Sequence, residues 1–345
     1  MCLQLFHDIL TVLIIGIKGD KREMTLLSFV IPCYRSEQTI ERVIDEIEKT
    51  VGERENYDYE VIAVNDCSPD NVYEILSNIA RTNKKIKVIN FAKNMGKHSA
   101  VLAGHSYVSG EYVVDIDDDY QSPTNCLWKL LEPVINDECD VATASYPHKK
   151  ESLLKRMGSD FNAYMGEKLF NKKHGLRFEN FIIMKRFVSD EIIRYKNPFP
   201  YLEGLILGVT KRIKMVEMEQ RERGDDKKSG FTLKKSFDLF ANGMTAFSTK
   251  PLRAASVMGF MFSFAGILWG IVLIVKKLIN PKVLIGYTST AVIMLVTSGI
   301  IMYLLGMIGE YIGRIYICLN NIPQYVIKET INIEDDYKNV TSNEY

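Results

Sequence analysis

The sequence predicts an α/β fold: a mostly parallel sheet with helices on both faces, followed by a two-helix transmembrane hairpin. Two observations predict it. From residue 26 to about 146, short apolar runs alternate with segments whose apolar residues recur at helical spacing. Further on, residues 254–275 and 283–309 carry no charged side chain. At about 1.5 Å per residue these runs extend roughly 33 and 40 Å, enough to cross a hydrocarbon core of about 30 Å. Two buried helices of a soluble fold are the alternative, and charge-free runs of this length rarely serve as core.

The elements follow in order. "LLSFVIP" (26–32) is a buried-strand pattern closed by Pro32. Ile40, Val43, Ile44 and Ile47 mark a helix, with Ser36 as its N-cap. "YEVIAVND" (59–66) is the second strand. Val72, Ile75, Leu76 and Ile79 mark the next helix, capped by Asp70. "IKVINF" (86–91) is a third strand, and residues 96–110 are a helix ended by Gly110. "EYVVDID" (111–117) and "CDVATASY" (139–146) complete the strands. The tail after about residue 328 is polar and is expected to be poorly ordered. "ILTVLIIGI" (9–17) is too short to span a bilayer, and no Lys or Arg precedes it as in a signal peptide. The natural start is expected at Met24; a short interfacial anchor is the rival reading.

In a sheet of this kind, ligands bind beyond the carboxyl ends of the strands. That rule places Pro32–Tyr34, Asn65–Asp66, Phe91–Asn94 and Asp117–Gln121 along one rim. The stretch "VVDIDDDYQSP" (113–123) brings Asp115, Asp117, Asp118 and Asp119 to this rim. Carboxylates so close repel unless a cation arrives. Alternation along a strand points Asp117 and Asp119 one way and Asp118 the other. A turn could gather Asp117, Asp119 and Gln121 around one hard cation. Oxygen-only ligands suit Mg²⁺ or Mn²⁺, with a diphosphate completing the shell. A solvated acidic turn is the plainer alternative.

The formal net charge is zero, which argues against a nucleic-acid partner. The six cysteines form no CxxC pair, so no zinc site or disulfide framework is indicated, and a reducing compartment is expected. His98 and His105 lie two helical turns apart and read as packing or hydrogen-bonding residues. Two basic stretches, residues 149–170 and 211–231, are either solvated surface or phosphate-binding segments. Residues 231–253 mix Phe, Leu and Met with basic residues, as a helix in a membrane interface does.

"FVIPCYRSEQTI", "VIAVNDCSPD", "NFAKNMGKHSAVLAGHSYVSGEYVVDIDDDYQSP" and "RERGDDKKSGFTLKKSFDLFANGMTAFSTKPLR" resemble, in that order, the blocks of family 2 glycosyltransferases. The branch is that of polyisoprenyl-phosphate sugar transferases, and the likeness covers roughly residues 26–315. It implies a GT-A fold. It also implies inverting transfer of a sugar from a nucleotide diphosphate sugar to a polyprenyl phosphate, undecaprenyl phosphate above all, with Mg²⁺ or Mn²⁺.

Carried onto this chain, the resemblance puts the donor nucleotide at Pro32, Tyr34, Asp66 and Asp118. Arg35-Ser36 stands where Asn-Glu is frequent, so either Glu37 substitutes for the family acid or that contact is lost. Asp117 and Asp119 become catalytic and, with Gln121, metal-binding. Arg221 or Arg223, with Lys228 and Ser229, falls to the diphosphate or acceptor phosphate. Arg156 and Ser159, or Lys155 instead, fall to the acceptor loop. Cys67 and Ser122 depart from the family's usual Gly and Asp or Asn.

The expected organisation is an amino-terminal extension (1–23), a catalytic domain (24–230), an interfacial helix (231–253), membrane helices (254–275, 283–309) and a tail (310–345). Lys234, Lys235, Lys250, Arg253, Arg314 and Lys328 flank the outer ends of the spans, against Lys276, Lys277 and Lys282 in the linker. That bias favours a multi-pass cell-membrane protein with its catalytic domain and tail cytoplasmic. A homo-oligomer is left open. A processive polysaccharide synthase would carry Gln-x-x-Arg-Trp, and neither Trp128 nor Trp269 follows an Arg. A tethered nucleotide-sugar-binding protein without turnover would not need the intact Asp117, Asp119 and Gln121.

Overall fold

The chain was studied as a computed structural model, which describes residues 24–146, 175–198, 200–219, 221, 250–280, 287–320 and 322–333. Its strands are β1 (Thr25–Cys33), β2 (Tyr57–Asn65), β3 (Ile86–Phe91), β4 (Tyr112–Asp115), β5 (Val141–Ser145), β6 (Ile182–Lys185), β7 (Ile213–Glu217) and β8 (Ile327–Ile331). They form one sheet in the order β7-β5-β6-β4-β1-β2-β3-β8. β4, β1, β2 and β3 run parallel, as do β5 and β7; β6 and β8 are antiparallel to their neighbours. The five expected strands are all present. Of the other three, β7 lies in the basic stretch 211–231, read as solvated surface or phosphate-binding, and β6 and β8 were missed because each is a short segment without clean alternation.

β1 is buried along its last seven residues, since both faces are covered. Leu27, Phe29 and Ile31 face a core shared with Val61 and Ala63 of β2. The helices α1 (Ile40–Gly52), α2 (Val72–Thr82) and α4 (Leu127–Ile135) close that core. Val30 faces the other core with Ile62, Val64 and Ile89, closed by α3 (Lys97–His105), α5 (Arg186–Ile192) and α6 (Leu202–Val209). The period of two along β1 therefore sorts its side chains into two layers. Gly104 lets α3 approach: a Cβ there would lie 2.4 Å from Val30 Cγ1.

Several boundaries differ from expectation. α3 stops at His105, short of Gly110, and the His105 ring there meets Asp115 and Ser189. Ser36 does not cap α1 with its side chain; its carbonyl accepts the N–H groups of Thr39 and Ile40. Asp70 does accept near the start of α2, from Val72 N at 3.5 Å, and also from Glu37 N at 3.0 Å. The expected disordered tail is corrected in part: residues 327–331 are β8, paired with β3 and held by Asn90 Nδ2 donating to Glu329 Oε1 at 2.8 Å. Tyr325, just before it, stacks on Phe91.

Two long helices, α7 (Lys250–Ile279) and α8 (Tyr287–Leu319), separate the rest of the sheet from β8. Phe260, Trp269, Met302 and Leu305 stand exposed along them. Exposed apolar surface on this scale marks a lipid or partner contact. Among the described residues, one stretch, Val296–Leu319, is long and apolar enough to cross a membrane, and Gly259–Val272 is a shorter apolar stretch. α8 thus carries its apolar character past residue 309, where the sequence reading ended the span. Residues 1–23, 222–249 and 334–345 lie outside the described residues, and with them the amino-terminal extension, nearly all of the expected interfacial helix and the end of the tail.

Candidate active site

The carboxyl ends of β1, β2, β3 and β4 bring residues 32–37, 65–70, 91–97 and 115–121 to one rim. The four carboxylates of the opening stretch separate there. Asp115 is part of the core, 4% exposed, with Oδ1 at 2.7 Å from His105 Nε2; the other ring nitrogen meets Ser189 Oγ at 2.7 Å. His105 is thus a buried hydrogen-bonding residue. His98 packs edge-on against Tyr201, and burial pushes its pKa down to about 4.

Asp118 turns back into the fold. Its Oδ2 accepts from Tyr34 N at 2.9 Å, and its carbonyl accepts from Thr39 Oγ1 at 2.6 Å. It therefore ties the end of β1 to the end of β4. Burial and the carboxylates of Asp117 and Asp119 push its pKa up to about 7. Asp117 lies on the other side, where Lys97 Nζ sits 2.5 Å from its Oδ1. Burial raises the Asp117 pKa, Asp119 and Asp115 add to that, and Lys97 opposes them. Asp119 Oδ1 accepts from Gln121 N at 3.1 Å, closing a turn whose middle residue, Tyr120, has φ +62°. Lys97 was missed in the sequence because its partner is distant; its place at the start of the helix after a rim loop was the available signal.

Pro32 is buried within β1, opposite Val64 of β2. Tyr34 is exposed at the rim, with Arg35 beside its ring. Asp66 is 4% exposed, and both its oxygens are engaged, by Met95 N at 2.6 Å and Gly96 N at 2.9 Å. Burial raises its pKa. Its observed work is to fasten the loop leading into α3. Glu37 Oε2 accepts from Asn71 N at 3.1 Å, which holds the first rim loop to the second. Cys67, where the family favours Gly, has φ +50°.

Arg221 is brought to the acidic turn, with its guanidinium occupied. Nη1 donates to Glu46 Oε2 at 2.6 Å, and Nη2 donates to Glu46 Oε1 and, at 3.1 Å, to Asn125 Oδ1. Arg156, Ser159, Arg223, Lys228 and Ser229 lie outside the described residues.

Asp117, Asp119 and Gln121 offer hard oxygen donors on an acidic turn that already attracts an ammonium. Those features fit Mg²⁺ or Mn²⁺. Among the described residues no group of three or more His, Cys, Asp and Glu forms a complete cage. This donor set suits an ion completed by substrate phosphates.

The sequence model of glycosyl transferase family 2 matches residues 28–193, and that of the GtrB C-terminal hairpin matches residues 250–315. The α/β sheet with its acidic rim and the helical pair thus define a glycosyltransferase of GT-A type. An uncharacterized glycosyltransferase of Bacillus subtilis (strain 168) is 32% identical over 310 residues, 89% of this chain and 95% of its own. A prophage bactoprenol glucosyl transferase homolog of Escherichia coli (strain K12) is 29% identical over 304 residues, covering 88% and 98%. The bactoprenol glucosyl transferase of Shigella phage SfII is 29% identical over 306 residues, with the same coverage. The chain belongs to glycosyl transferase family 2. Among solved structures, mannosyl-3-phosphoglycerate synthase from Rubrobacter xylanophilus overlaps 68% of this chain and 76% of its own, at 16% identity and a TM-score of 0.48.

Proposed function

We propose that this enzyme transfers a sugar from a nucleotide diphosphate sugar to a polyprenyl phosphate at a membrane surface, with undecaprenyl phosphate as the acceptor. The observation that carries this reading is the acidic turn: Asp117, Asp119 and Gln121 at the rim, beside the Lys97 ammonium. The acceptor class is supported by the bactoprenol glucosyl transferases, which match along 88% of this chain, and by the apolar helices α7 and α8.

Asp117, Asp119 and Gln121 would hold Mg²⁺ or Mn²⁺. When bound, the ion supplies Lewis-acid stabilisation of the departing diphosphate. The nucleophile is a phosphate oxygen that is already anionic at neutral pH, so no strong general base is required. The burden on the protein is to bring two anions together and align them. Lys97 contributes positive charge at the rim. Asp118, through Tyr34 N, fixes the loop over which the nucleotide lies, and Asp66 fixes the loop entering α3. Attack from the face opposite the leaving group gives inversion at the sugar carbon. The catalytic domain lies on the cytoplasmic side, as the distribution of Lys and Arg around the two helices favours.

The test is to incubate membranes carrying the protein with undecaprenyl phosphate and a panel of labelled nucleotide sugars, then extract with organic solvent. Label in a prenyl-linked sugar is the expected outcome. Label only in insoluble polymer, or none with any donor, overturns the proposal.

A further inference from the structure

The middle residue of the acidic turn carries a ring that two guanidinium groups contact. Arg42 lies 4.4 Å from the centroid of the Tyr120 ring and Arg221 lies 4.7 Å from it. Such cation–π contacts need an aromatic face, which aliphatic side chains lack. Arg42 and Glu46 are four residues apart on α1, so they share one face of that helix. Glu46 grips the Arg221 fork with both carboxylate oxygens and accepts from Thr124 Oγ1 at 2.9 Å. Hydrogen bonds from Arg221 and Thr124 hold the Glu46 carboxyl below its ordinary range, against the upward push of burial. Arg221 N also donates to Gln121 O at 3.3 Å. One arginine thus touches the turn at its backbone, its aromatic ring and, through Asn125, the residues that follow.

This arrangement does not suit a phosphate ligand. Three of the donor hydrogens of Arg221 are committed, and withdrawing them would leave the Glu46 carboxylate, 17% exposed, without its ion-pair partner. Tyr120 has φ +62°, a conformation that a non-glycine residue keeps only when its surroundings hold it there. Its neighbours on either side, Asp119 and Gln121, belong to the proposed diphosphate and metal group, so the ring is the handle by which that group is oriented.

We propose that Arg42, Glu46 and Arg221 form a latch on Tyr120 that sets the orientation of Asp119 and Gln121, making Arg221 a positioning residue. The proposal rests on the reading of the acidic turn as the donor diphosphate site. Its corollary is that any phosphate contact from the basic stretch after β7 falls to residues beyond Arg221.

The experiment uses the full-length protein in detergent with two readouts: sugar transfer to undecaprenyl phosphate, and amide hydrogen exchange across residues 117–123. Glu46→Ala and Arg221→Ala are each expected to lower kcat at least tenfold, with smaller changes in acceptor KM. The double variant is expected to be no worse than either single one. The charge-swapped pair, Glu46→Arg with Arg221→Glu, is expected to recover part of the loss. Exchange across 117–123 is expected to quicken in both single variants while β1–β3 stay protected. Arg221→Lys, which keeps the charge and loses the fork, serves if an alanine variant fails to fold, and it too should quicken exchange. Wild-type turnover in Glu46→Ala, with loss only in Arg221→Ala, would make Arg221 a ligand and overturn the latch. Unchanged exchange in Glu46→Ala, Arg221→Ala and Arg221→Lys would do the same. If the wild type transfers no sugar, the functional reading falls by itself, and exchange still decides the latch.

Discussion

Lys97 Nζ stands 2.5 Å from Asp117 Oδ1, so the acidic turn carries a cation of its own before any ligand arrives. A divalent ion drawn to the same carboxylate competes with that ammonium. Lys97→Met should therefore tighten Mn²⁺ binding in the presence of nucleoside diphosphate, by on the order of 1–2 kcal/mol for a unit charge at partly screened separation. Calorimetric titration of the purified protein measures it. Equal or weaker affinity would mean that the ammonium and the ion do not compete for Asp117.

Asp119→Ala removes one of the oxygen donors proposed for the ion. Formation of lipid-linked sugar should fall by at least ~100-fold, the scale of losing one stabiliser of developing charge. Circular dichroism should remain that of the wild type. Turnover within a few-fold of normal rules out the assignment of Asp119 to the metal and diphosphate.

The fold keeps His98 neutral, with a pKa pushed down to about 4 against 6.5 ordinarily, by burial and by the adjacent Lys97 charge. The unfolded chain then binds more protons than the native one between those values. Stability contributed by the neutral ring is complete above pH 6.5 and is lost as pH falls toward 4. His98→Leu should lose on the order of 2 kcal/mol less than the wild type across that window. Thermal unfolding in detergent at pH 7, 6, 5 and 4 gives the comparison; parallel curves for the two proteins would show that His98 does not titrate on unfolding.

Gly104 and Val30 meet where α3 crosses β1. Gly104→Ala places a methyl group 2.4 Å from Val30 Cγ1 and should cost about 1–3 kcal/mol. Adding Val30→Ala should recover part of that loss, since it removes the atom that clashes. Denaturant unfolding of the two variants measures the coupling. A loss unaffected by the second substitution would place the strain elsewhere.

The central parallel strands were legible because burial on both faces leaves near-continuous apolar runs, as in "SFVIP" and "EVIAV". β8 was not, because Lys328, Glu329 and Thr330 follow one another between two isoleucines, which breaks the alternation of a strand, and only pairing with β3 makes the segment one. The acidic turn was readable from its spacing, and so was the parting of Asp118 from Asp117, whereas the partner each carboxylate finds was not. Asp115 belongs to His105, Asp118 to Tyr34 and Asp117 to Lys97, and each partner lies in another element. Arg221 was readable as one basic residue of a candidate phosphate-binding stretch. That Glu46 would claim its fork depends on α1 packing beside the turn Thr124–Cys126, which local pattern does not encode.

β8 gives the helical pair a second attachment. The chain leaves the rim at Arg221, pinned to α1, and returns at Ile327, pinned along β3. α7 and α8 are therefore an insertion between two anchored points and not a trailing leash. A stem joined at one point can swivel, whereas the helical pair here departs from the sheet at one strand edge and is tied back to it along another.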